Sequence, residues 1–303
     1  MRSQFIDDEK AERKEGDMFL LRSYFLLLFA AGMLTAQTAE AASCLGDQSS
    51  QNSYSVYLVP RISAIKLYQD WSPFLERLGK EIGLCFVLDI PEDFTKFEQA
   101  IQAGKPDFVF LNPYHQIMVV RQPGYVPLVR DQQSELSGVL VVRKDSRIND
   151  VRQLDGATIA FPSPNAYAAS LLMRAILFQK NIHITADYLG SHSNVYRAVA
   201  LGVSLAGGGA KTTLDHEPTE LQSQLRILFT TPNFTPHPFS AHPRVQQSVR
   251  EKVIAGFLGM AADPNGRGLL KVIQIAQPIR ADYARDYKRL EQLKLEKFSI
   301  RGG

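Results

Sequence analysis

The chain has 303 residues, of which 45% are hydrophobic and 21% are charged, with two cysteines and a formal net charge of +3. This is the composition of an ordinary globular protein, and it excludes collagen-like, low-complexity and wholly disordered chains. Two cysteines exclude a disulfide-dense scaffold and a four-thiolate zinc site. The mild charge, with no run rich in lysine and arginine, gives no indication of nucleic-acid binding.

The N-terminal segment, residues 1–41, has the pattern of a leader rather than of a folded domain. It is polar and charged up to Met18, and an apolar run over 23–33 then leads to the small residues Ala39 and Ala41. This order is typical of a secretory signal with its cleavage site. We therefore expect translation to start at Met18 and the protein to be exported to the periplasm. The alternative is a true N-terminal tail before an uncleaved anchor, although about 20 apolar residues are needed to cross a bilayer.

Export bears on the two cysteines, because the periplasm is oxidising. Cys44 and Cys85 are expected to form a disulfide or to remain free thiols. Cys44 also follows Ala41, Ala42 and Ser43, as in a lipoprotein processing site. Ala41 stands where leucine is usual at such sites, so lipid anchoring is the less favoured alternative.

Strand and helix patterns alternate along the rest of the chain. The first half is predicted to contain strand 55–60, helix 67–82, strand 85–90, helix 94–103, strand 107–111, a helix opened by Asn112-Pro113, and strands 126–129 and 138–146. The second half is predicted to contain strand 158–162, helix 165–179, strand 188–191, helix 194–201, strand 204–209 leading into a glycine turn, strand 225–231, and helical stretches near 245–260, 264–275 and 282–293.

This alternation predicts an α/β protein with two lobes, each a mainly parallel sheet flanked by helices. Residues 54–136 plus 235–303 are expected to form the first lobe, and residues 137–234 the second. The proline-rich stretch 230–243 marks the return to the first lobe. Such a layout is a hinged clamshell that holds its ligand between the lobes.

Several catalytic motifs are nearly present but fail. Residues 206–213 resemble a P-loop, but Ala210 stands where its second glycine is required. Residues 202–206 miss the Gly-x-Ser-x-Gly elbow, and His216 has no second histidine four residues later. We therefore expect no enzymatic activity, no cofactor and no metal site. The glycine-rich turn can still offer main-chain amides to an anion.

Histidines in loops and at predicted strand ends are the candidate ligand-binding residues. His115 and His192 each follow a predicted strand, while His237 and His242 lie in the proline-rich return stretch 230–243. In open α/β sheets, ligands bind beyond the carboxyl ends of the strands, so His115 and His192 stand where a ligand is expected. A structural hydrogen bond within a loop is the alternative for each.

Four blocks of sequence, in this order, carry a resemblance to a known family. They are YSVYLVPRISAIKLYQDWSPFLERLGKEIG, FEQAIQAGKPDFVFLNPYHQ, GVLVVRKDSRINDVRQLDGATIAFPSPNAYAASLLMRAIL and SHSNVYRAVALGVSLAGGGAKTTL. With these blocks the mature chain resembles the phosphate/phosphite/phosphonate-binding proteins of ABC transporters. The resemblance implies a two-lobed periplasmic receptor that closes on a small anion and delivers it to a permease in the inner membrane.

The resemblance also places the anion at a helix N-terminus in the second lobe. Members of the family have a Ser-Thr-Ser-Gly run there, whose hydroxyls and amides hold the phosphonate. Here the matching positions carry Ala166, Tyr167, Ala168 and Ala169, so most hydroxyls are missing. The main-chain amides near Asn165, Ala166 and Tyr167 remain able to bind an anion.

Other positions depart from the family or match it. His237 stands where members commonly have an acidic residue before proline, and Phe94 where an aromatic residue is usual, here without a hydroxyl. His192 matches a histidine of the family. An imidazole can donate a hydrogen bond to an oxyanion, so His192 and His237 are expected contacts. The remaining expected contacts are Tyr114 and His115 from the first lobe, and Arg61, which follows the first strand and can supply charge.

Two function classes share this predicted site. One is a transport receptor that serves an ABC permease, and the other is a periplasmic sensing subunit that presents its bound solute to a membrane sensor kinase or cyclase. In both, the ligand bridges the lobes and shifts the population toward a closed form that the partner recognises. We expect the protein to be a monomer.

Overall fold

The computed structural model describes residues 44–300 of the chain. The predicted leader, with its start at Met18 and its cleavage site, lies outside these residues. In residues 44–300 no helix is both long enough and apolar enough to cross a membrane. Cys44 and Cys85 are joined by a disulfide, so this alternative for the two cysteines is confirmed.

The first half of the chain runs from the first strand to the first connection between lobes. Its elements are β1 (Leu45–Gly46), β2 (Ser53–Leu58), α1 (Ala64–Ile82), β3 (Cys85–Asp89), α2 (Phe94–Gln102), β4 (Phe108–Phe110), α3 (Pro113–Arg121) and β5 (Val126–Asp131).

The second half begins with the second lobe and ends with helices that return to the first. Its elements are β6 (Gly138–Arg143), β7 (Thr158–Phe161), a π-helical turn (Tyr167–Leu171) that runs into α4 (Leu172–Gln179), β8 (Thr185–Tyr188), α5 (His192–Ala200), β9 (Gly207–Ala210), α6 (Lys211–Leu214), α7 (Thr219–Ser223), β10 (Leu225–Thr230), β11 (Phe239–Ala241), α8 (Gln247–Ala262), α9 (Pro264–Val272), β12 (Pro278–Arg280) and α10 (Tyr283–Asp286).

The strands form two separate sheets. A seven-stranded sheet has the order β1-β3-β2-β4-β11-β5-β12, and a five-stranded sheet has the order β10-β6-β9-β7-β8. The two chain segments that connect the sheets pair with each other, because Leu136 and Phe234 exchange main-chain hydrogen bonds of 2.8 and 3.0 Å. The predicted lobe limits adjoin this pair and stay a prediction.

The two-lobed α/β fold is confirmed, but the expectation of mainly parallel sheets is wrong in detail. In the first sheet β2 pairs in parallel with β3 and β4, whereas β11 is antiparallel to both β4 and β5. The chain that returns from the second lobe reaches this sheet at the C-terminal end of β4, so β11 is antiparallel to β4. In the second sheet β7 is parallel to β8 and β9, and β6 is antiparallel to β9 and β10.

Helix α1 shows how the sequence builds the core of the first lobe. The side chain of Ser63 caps its first turn, and Gly83 ends it with a positive φ of 68°, a conformation that glycine adopts at little cost. Its apolar face buries Trp71 and Phe74, which pack against aromatic residues of the sheet and of helix α8. Burying such side chains stabilises the fold by about 1.5–3 kcal/mol each.

The glycines at 207–209 lie in a buried strand, as predicted for part of 204–209, and the glycine turn expected after it is replaced by the short helix α6. Strand β9 lies inside the second sheet, and a Cβ on Gly208 would lie 2.3 Å from the carbonyl oxygen of Ala169. A Cβ on Gly209 would lie 2.0 Å from the Tyr196 hydroxyl oxygen. The glycines therefore let the π-helical turn and helix α5 approach the sheet more closely than any side chain would permit.

The C-terminal residues pack against both lobes. Tyr287, Leu290 and Leu295 are buried in one cluster with Tyr114 of the first lobe and Tyr167 of the second. This stretch was expected to be one helix over 282–293. It is instead the short helix α10 followed by 3₁₀ turns.

Candidate ligand-binding site

A small cavity of about 30 Å³ lies between the two sheets. The first lobe contributes Val59, Arg61, Phe94 and Asn112, the second contributes Ala166, Tyr167, Ala168, Ala169, His192, Ala210, Thr212 and Thr213, and the connecting segments contribute Leu136 and His237. A single water needs about 10–15 Å³ of such space, so the cavity suits a ligand of few atoms. A wider cleft of about 560 Å³ shares Arg61 and Thr213 with this cavity.

The cavity lies at the ends of strands from both sheets. Arg61 and Asn112 follow β2 and β4, while Ala166 and Thr212 follow β7 and β9. Ligands of open α/β proteins bind at such strand ends, because loops of adjacent strands meet there. The cavity therefore lies at the strand ends where the sequence predicted a ligand, and binding there stays a prediction.

Arg61 is the buried cation of this cavity. Its guanidinium donates to the side chain of Gln274, and its centre lies 5.4 Å from the centroid of the Phe110 ring. Its Nε has no hydrogen-bond partner among the described residues, although the residue is only 6% exposed. Burial lowers the pKa of Arg61 to about 10, so the group is still charged at neutral pH. Arg61 therefore presents positive charge and an unused donor.

Two imidazoles accompany the guanidinium. The Nδ1 atom of His192 lies 3.0 Å from the main-chain oxygen of Arg61, which links the second lobe to the first. Burial lowers the pKa of His192 to about 4, although this hydrogen bond opposes the shift. The His237 ring stacks on Phe110 at 5.3 Å between centroids, and burial holds the pKa of His237 well below its ordinary value. Both imidazoles are therefore neutral near pH 7.

The π-helical turn offers the amide of Tyr167, one of the three that the sequence predicted, whereas the Ala166 amide donates to the Ser163 carbonyl oxygen at 3.3 Å. The carbonyl oxygen of Ala166 accepts from the amides of Ser170 and Leu171 at 2.8 and 3.1 Å. The amides of Tyr167 to Ala169 belong to the first turn, where the main-chain N–H groups have no acceptor within the helix. They can therefore donate to an anion in the cavity. The positive end of the helix dipole adds to this preference for negative charge.

Five of the eight residues expected to bind ligand line the cavity. They are Arg61, Ala166, Tyr167, His192 and His237. The other three, Tyr114, His115 and Asn165, are absent from its lining and lie in neighbouring buried positions. Their contact with a ligand stays a prediction.

The partners of the other three residues are protein groups. The Nε2 atom of His115 lies 3.0 Å from one carboxylate oxygen of Glu98, and the Asn165 amide donates to the other at 2.8 Å. Tyr114 packs with Tyr287 in the cluster beneath the C-terminal residues. These contacts join the two lobes and the C-terminal segment behind the cavity.

Thr212, Thr213 and Asn112 line the cavity but were not among the residues expected to bind ligand. The hydroxyl of Thr213 donates to the Ala210 carbonyl oxygen at 2.8 Å and lies 2.8 Å from the hydroxyl of Tyr196. The same strand-end argument that selected His115 would have found both threonines, because they directly follow the glycine-rich strand. Because the Thr213 hydroxyl already donates to Ala210, the hydroxyl that partly replaces those missing at positions 166–169 is that of Thr212.

Comparison with known proteins identifies the family. The model of the family described as "ABC transporter, phosphonate, periplasmic substrate-binding protein" matches residues 56–287. The chain belongs to this family. The resemblance drawn from the four sequence blocks is confirmed, and so is the function class of a periplasmic substrate-binding component of an ABC transporter.

Relatives of the substrate-binding protein support the same assignment. This chain is 22% identical over 246 residues to the phosphonates-binding periplasmic protein of Escherichia coli K12. The alignment covers 76% of this chain and 72% of the relative. Two crystal structures share the fold. One is the binding component of an ABC phosphonate transporter from Pseudomonas aeruginosa, with a TM-score of 0.73, 16% identity and coverage of 82% of this chain and 87% of that one.

The other structure is PhnD1 from Prochlorococcus marinus in complex with methylphosphonate. Its TM-score is 0.74 with 18% identity, and the alignment covers 82% of this chain and 99% of that one. At these identities the structures show a shared fold. The ligand of the present protein has to be argued from its own cavity.

Proposed function

We propose that this protein binds a small phosphorus oxyanion, a phosphonate or phosphite, in the cavity between its lobes and delivers it to an ABC permease of the inner membrane. The observation that carries the proposal is the buried Arg61 guanidinium, whose Nε has no partner among the described residues and which lines the same cavity as the π-helical turn. A buried donor without an acceptor costs about 1–3 kcal/mol, and an anion would satisfy it.

The charge of the cavity supports an anionic ligand. Among the described residues that line it, Arg61 is the charged one, and none is a carboxylate. Amides of the π-helical turn, the hydroxyl of Thr212 and the imidazole of His237 add neutral donors around the same space. Such donors bind an oxyanion well in a site from which water is excluded.

The size and the apolar part of the lining favour a compact ligand. Val59, Phe94 and Leu136 add apolar side chains to the lining. A phosphonate with a small alkyl group, or a phosphite with its P–H bond, combines a charged side with an apolar side. A cavity of about 30 Å³ favours such a compact ligand over a nucleotide or an amino acid with a long side chain.

Direct contact between the lobes supports delivery by closure. The hydrogen bond from His192 to Arg61 joins the second lobe to the first beside the cavity. A ligand held by Arg61 and by the amides of the π-helical turn would add bonds that exist only in the closed form, and so would shift the population toward it. We propose that the permease recognises this form and that the protein itself carries out no chemical step.

Calorimetric titration of residues 44–303 with methylphosphonate, phosphite, phosphate and acetate tests the proposal. We expect binding of a phosphorus oxyanion and weak binding or none of acetate. Arg61→Gln should weaken binding by about 10- to 100-fold, since a hydrogen bond to a charged group contributes about 1.5–3 kcal/mol. Arg61→Lys keeps the charge but loses the second donor, so its affinity should lie between those of the parent protein and Arg61→Gln.

The matched control is Arg152→Gln, since the side chain of Arg152 is 81% exposed and pairs with Asp150. This variant should bind as the parent protein does. Binding of no phosphorus oxyanion, or equal affinity of Arg61→Gln and the parent, would overturn the proposed function. Uptake of labelled methylphosphonate by cells with and without the gene tests delivery separately.

A further inference from the structure

The hydrogen bond between His192 and the main chain of Arg61 determines which ring nitrogen of this buried imidazole carries the proton. The main-chain oxygen of Arg61 can only accept, so the Nδ1 atom of His192, at 3.0 Å from it, carries the hydrogen. In a neutral imidazole the other nitrogen is then a hydrogen-bond acceptor. The Nε2 atom of His192 therefore carries a lone pair and no hydrogen.

This lone pair is on a side chain of the cavity lining. The His192 ring lines the cavity and is 4% exposed, and Nε2 has no hydrogen-bond partner among the described residues. Fully ionised oxyanions also present lone pairs only, so placing one against Nε2 would be repulsive. A ligand that donates a hydrogen bond at this point would satisfy the atom.

The charged groups around His192 leave this arrangement undisturbed. Arg61 and His237 share the cavity with it, and His237 is held neutral by burial. On the neighbouring second-lobe elements, Lys211 is paired with Asp215, and Glu217 accepts from Ser193. Among the described residues that line the cavity, none is a carboxylate that could take the proton of a ligand. The single guanidinium, that of Arg61, balances one negative charge on the ligand.

We propose that the cavity selects the singly protonated form of its oxyanion, whose O–H group donates to Nε2 of His192 while its charged oxygens accept from Arg61 and the helix amides. The ligand class is a monoanion of the type R–PO₂(OH)⁻. The inference rests on the proposed function and specifies the protonation state that the same cavity recognises.

One consequence is rejection of anions of the same shape and charge that carry no proton. Methanesulfonate and the methylphosphonate monoanion are both tetrahedral and both have one negative charge, but only the latter has an O–H group. A site with a buried acceptor rejects a ligand that leaves this acceptor unpaired. We expect methanesulfonate to bind at least about 10- to 100-fold more weakly than methylphosphonate.

A second consequence is a dependence of affinity on pH that follows the ligand. Above the second ionisation of methylphosphonate the monoanion is depleted tenfold for each pH unit, so the dissociation constant should rise by the same factor. Below that ionisation the affinity should be flat until His192 itself takes up a proton. Methanesulfonate does not titrate in this range, so its weak binding should show no such rise.

Two variants separate the acceptor from the contact between the lobes. His192→Asn places an amide where Nδ1 was and keeps a donor for the Arg61 carbonyl, but it removes the atom at the Nε2 position. His192→Gln keeps a polar atom near the Nε2 position, whose carbonyl oxygen can accept from the ligand. We expect His192→Asn to lose most of the preference for methylphosphonate over methanesulfonate, and His192→Gln to retain part of it.

The experiment is calorimetric titration of the parent protein and both variants with the two ligands between pH 5.5 and 8.5. Equal affinity of the parent for methanesulfonate and methylphosphonate, or an affinity for methylphosphonate that is unchanged or rises above its second ionisation, would overturn the inference while leaving the proposed function intact. Binding of neither methylphosphonate nor phosphite at any pH would instead refute the proposed function. A preference that survives fully in His192→Asn would show that another group recognises the proton.

Discussion

The side chain of Asn165 and the main chain of Ile300 hydrogen-bond to each other in both directions. The Asn165 amide donates to the Ile300 carbonyl oxygen at 3.0 Å, and the Ile300 amide donates to the Asn165 side-chain oxygen at 3.2 Å. The same Asn165 amide also donates to Glu98 of the first lobe at 2.8 Å. One side chain thus ties the second lobe to the first lobe and to the C-terminal segment. It does so two residues before the turn whose amides are proposed to hold the anion.

Replacement of Asn165 by alanine should weaken both the fold and ligand binding. The Asn165→Ala variant leaves the buried Glu98 carboxylate with one partner fewer, and an unsatisfied buried group costs about 1–3 kcal/mol. We expect a loss of unfolding free energy of about 2–4 kcal/mol and a weaker affinity for methylphosphonate, because the adjoining turn is no longer fixed. Denaturant unfolding and calorimetry measure the two effects.

The control for this variant is Asn233→Ala, whose exposed side chain bonds only to the exposed Glu135. Exposed substitutions of this kind change stability by less than about 0.5 kcal/mol. If both alanine variants were equally stable, the triple contact of Asn165 would not hold the lobes and the C-terminal segment together.

Gly208 should tolerate no side chain. A Cβ at this position would lie 2.3 Å from the Ala169 carbonyl oxygen and 2.4 Å from a ring carbon of Phe161. Gly208→Ala therefore has to displace the π-helical turn from the sheet, and overpacking of this kind costs about 1–3 kcal/mol. We expect a lower melting temperature and weaker methylphosphonate binding in calorimetry.

The matched change is Gly259→Ala in helix α8, where an added Cβ meets nothing within 4 Å. Alanine is favoured over glycine in a helix by about 0.5–1 kcal/mol, so this variant should be slightly more stable and should bind normally. A Gly208→Ala protein with unchanged affinity would show that the close packing of strand β9 does not position the turn.

The fold was largely predictable because most elements have a local signal. Helix α1 has an apolar period, a capping serine and a terminating glycine, and its predicted end at residue 82 is the observed one. Strands β11 and β12 have three residues each and no periodic pattern, so no local signal predicts them. They exist because the neighbouring strands offer unpaired edges, which is a property of the assembled sheet.

The site was predictable where it depends on strand ends and not where it depends on packing. Arg61 and His192 follow strands directly, and both line the cavity. His115 also follows a strand, yet its Nε2 is bound to Glu98, a partner 17 residues earlier that only the folded chain brings near. The burial that keeps His237 neutral likewise comes from several distant segments, which no short motif records.

The disulfide should contribute much of the stability of the first lobe. It joins Cys44 and Cys85 across a sequence separation of 41 residues, and a crosslink over a loop of this length restricts the unfolded chain by an amount equal to about 2–4 kcal/mol. The double variant Cys44→Ser, Cys85→Ser should therefore unfold at lower urea concentration. The same shift should appear in the parent protein under reducing conditions, and the double variant should show none. An equal response of both proteins to reductant would contradict this.

Buried neutral histidines should make the protein less stable as the pH falls below 6.5. The ordinary pKa of a histidine is 6.5, and burial lowers that of folded His192 to about 4. Between these values the unfolded chain binds a proton that the folded protein excludes, so stability is fully present above pH 6.5 and is lost as the pH falls toward 4. For His192 alone the full loss is about 3 kcal/mol, at 1.36 kcal/mol for each pKa unit. Urea unfolding at pH 7 and pH 4.5 measures it, and His192→Asn, which cannot take up the proton, should show a smaller loss. A parent protein that is equally stable at both pH values would mean that His192 is protonated in the fold.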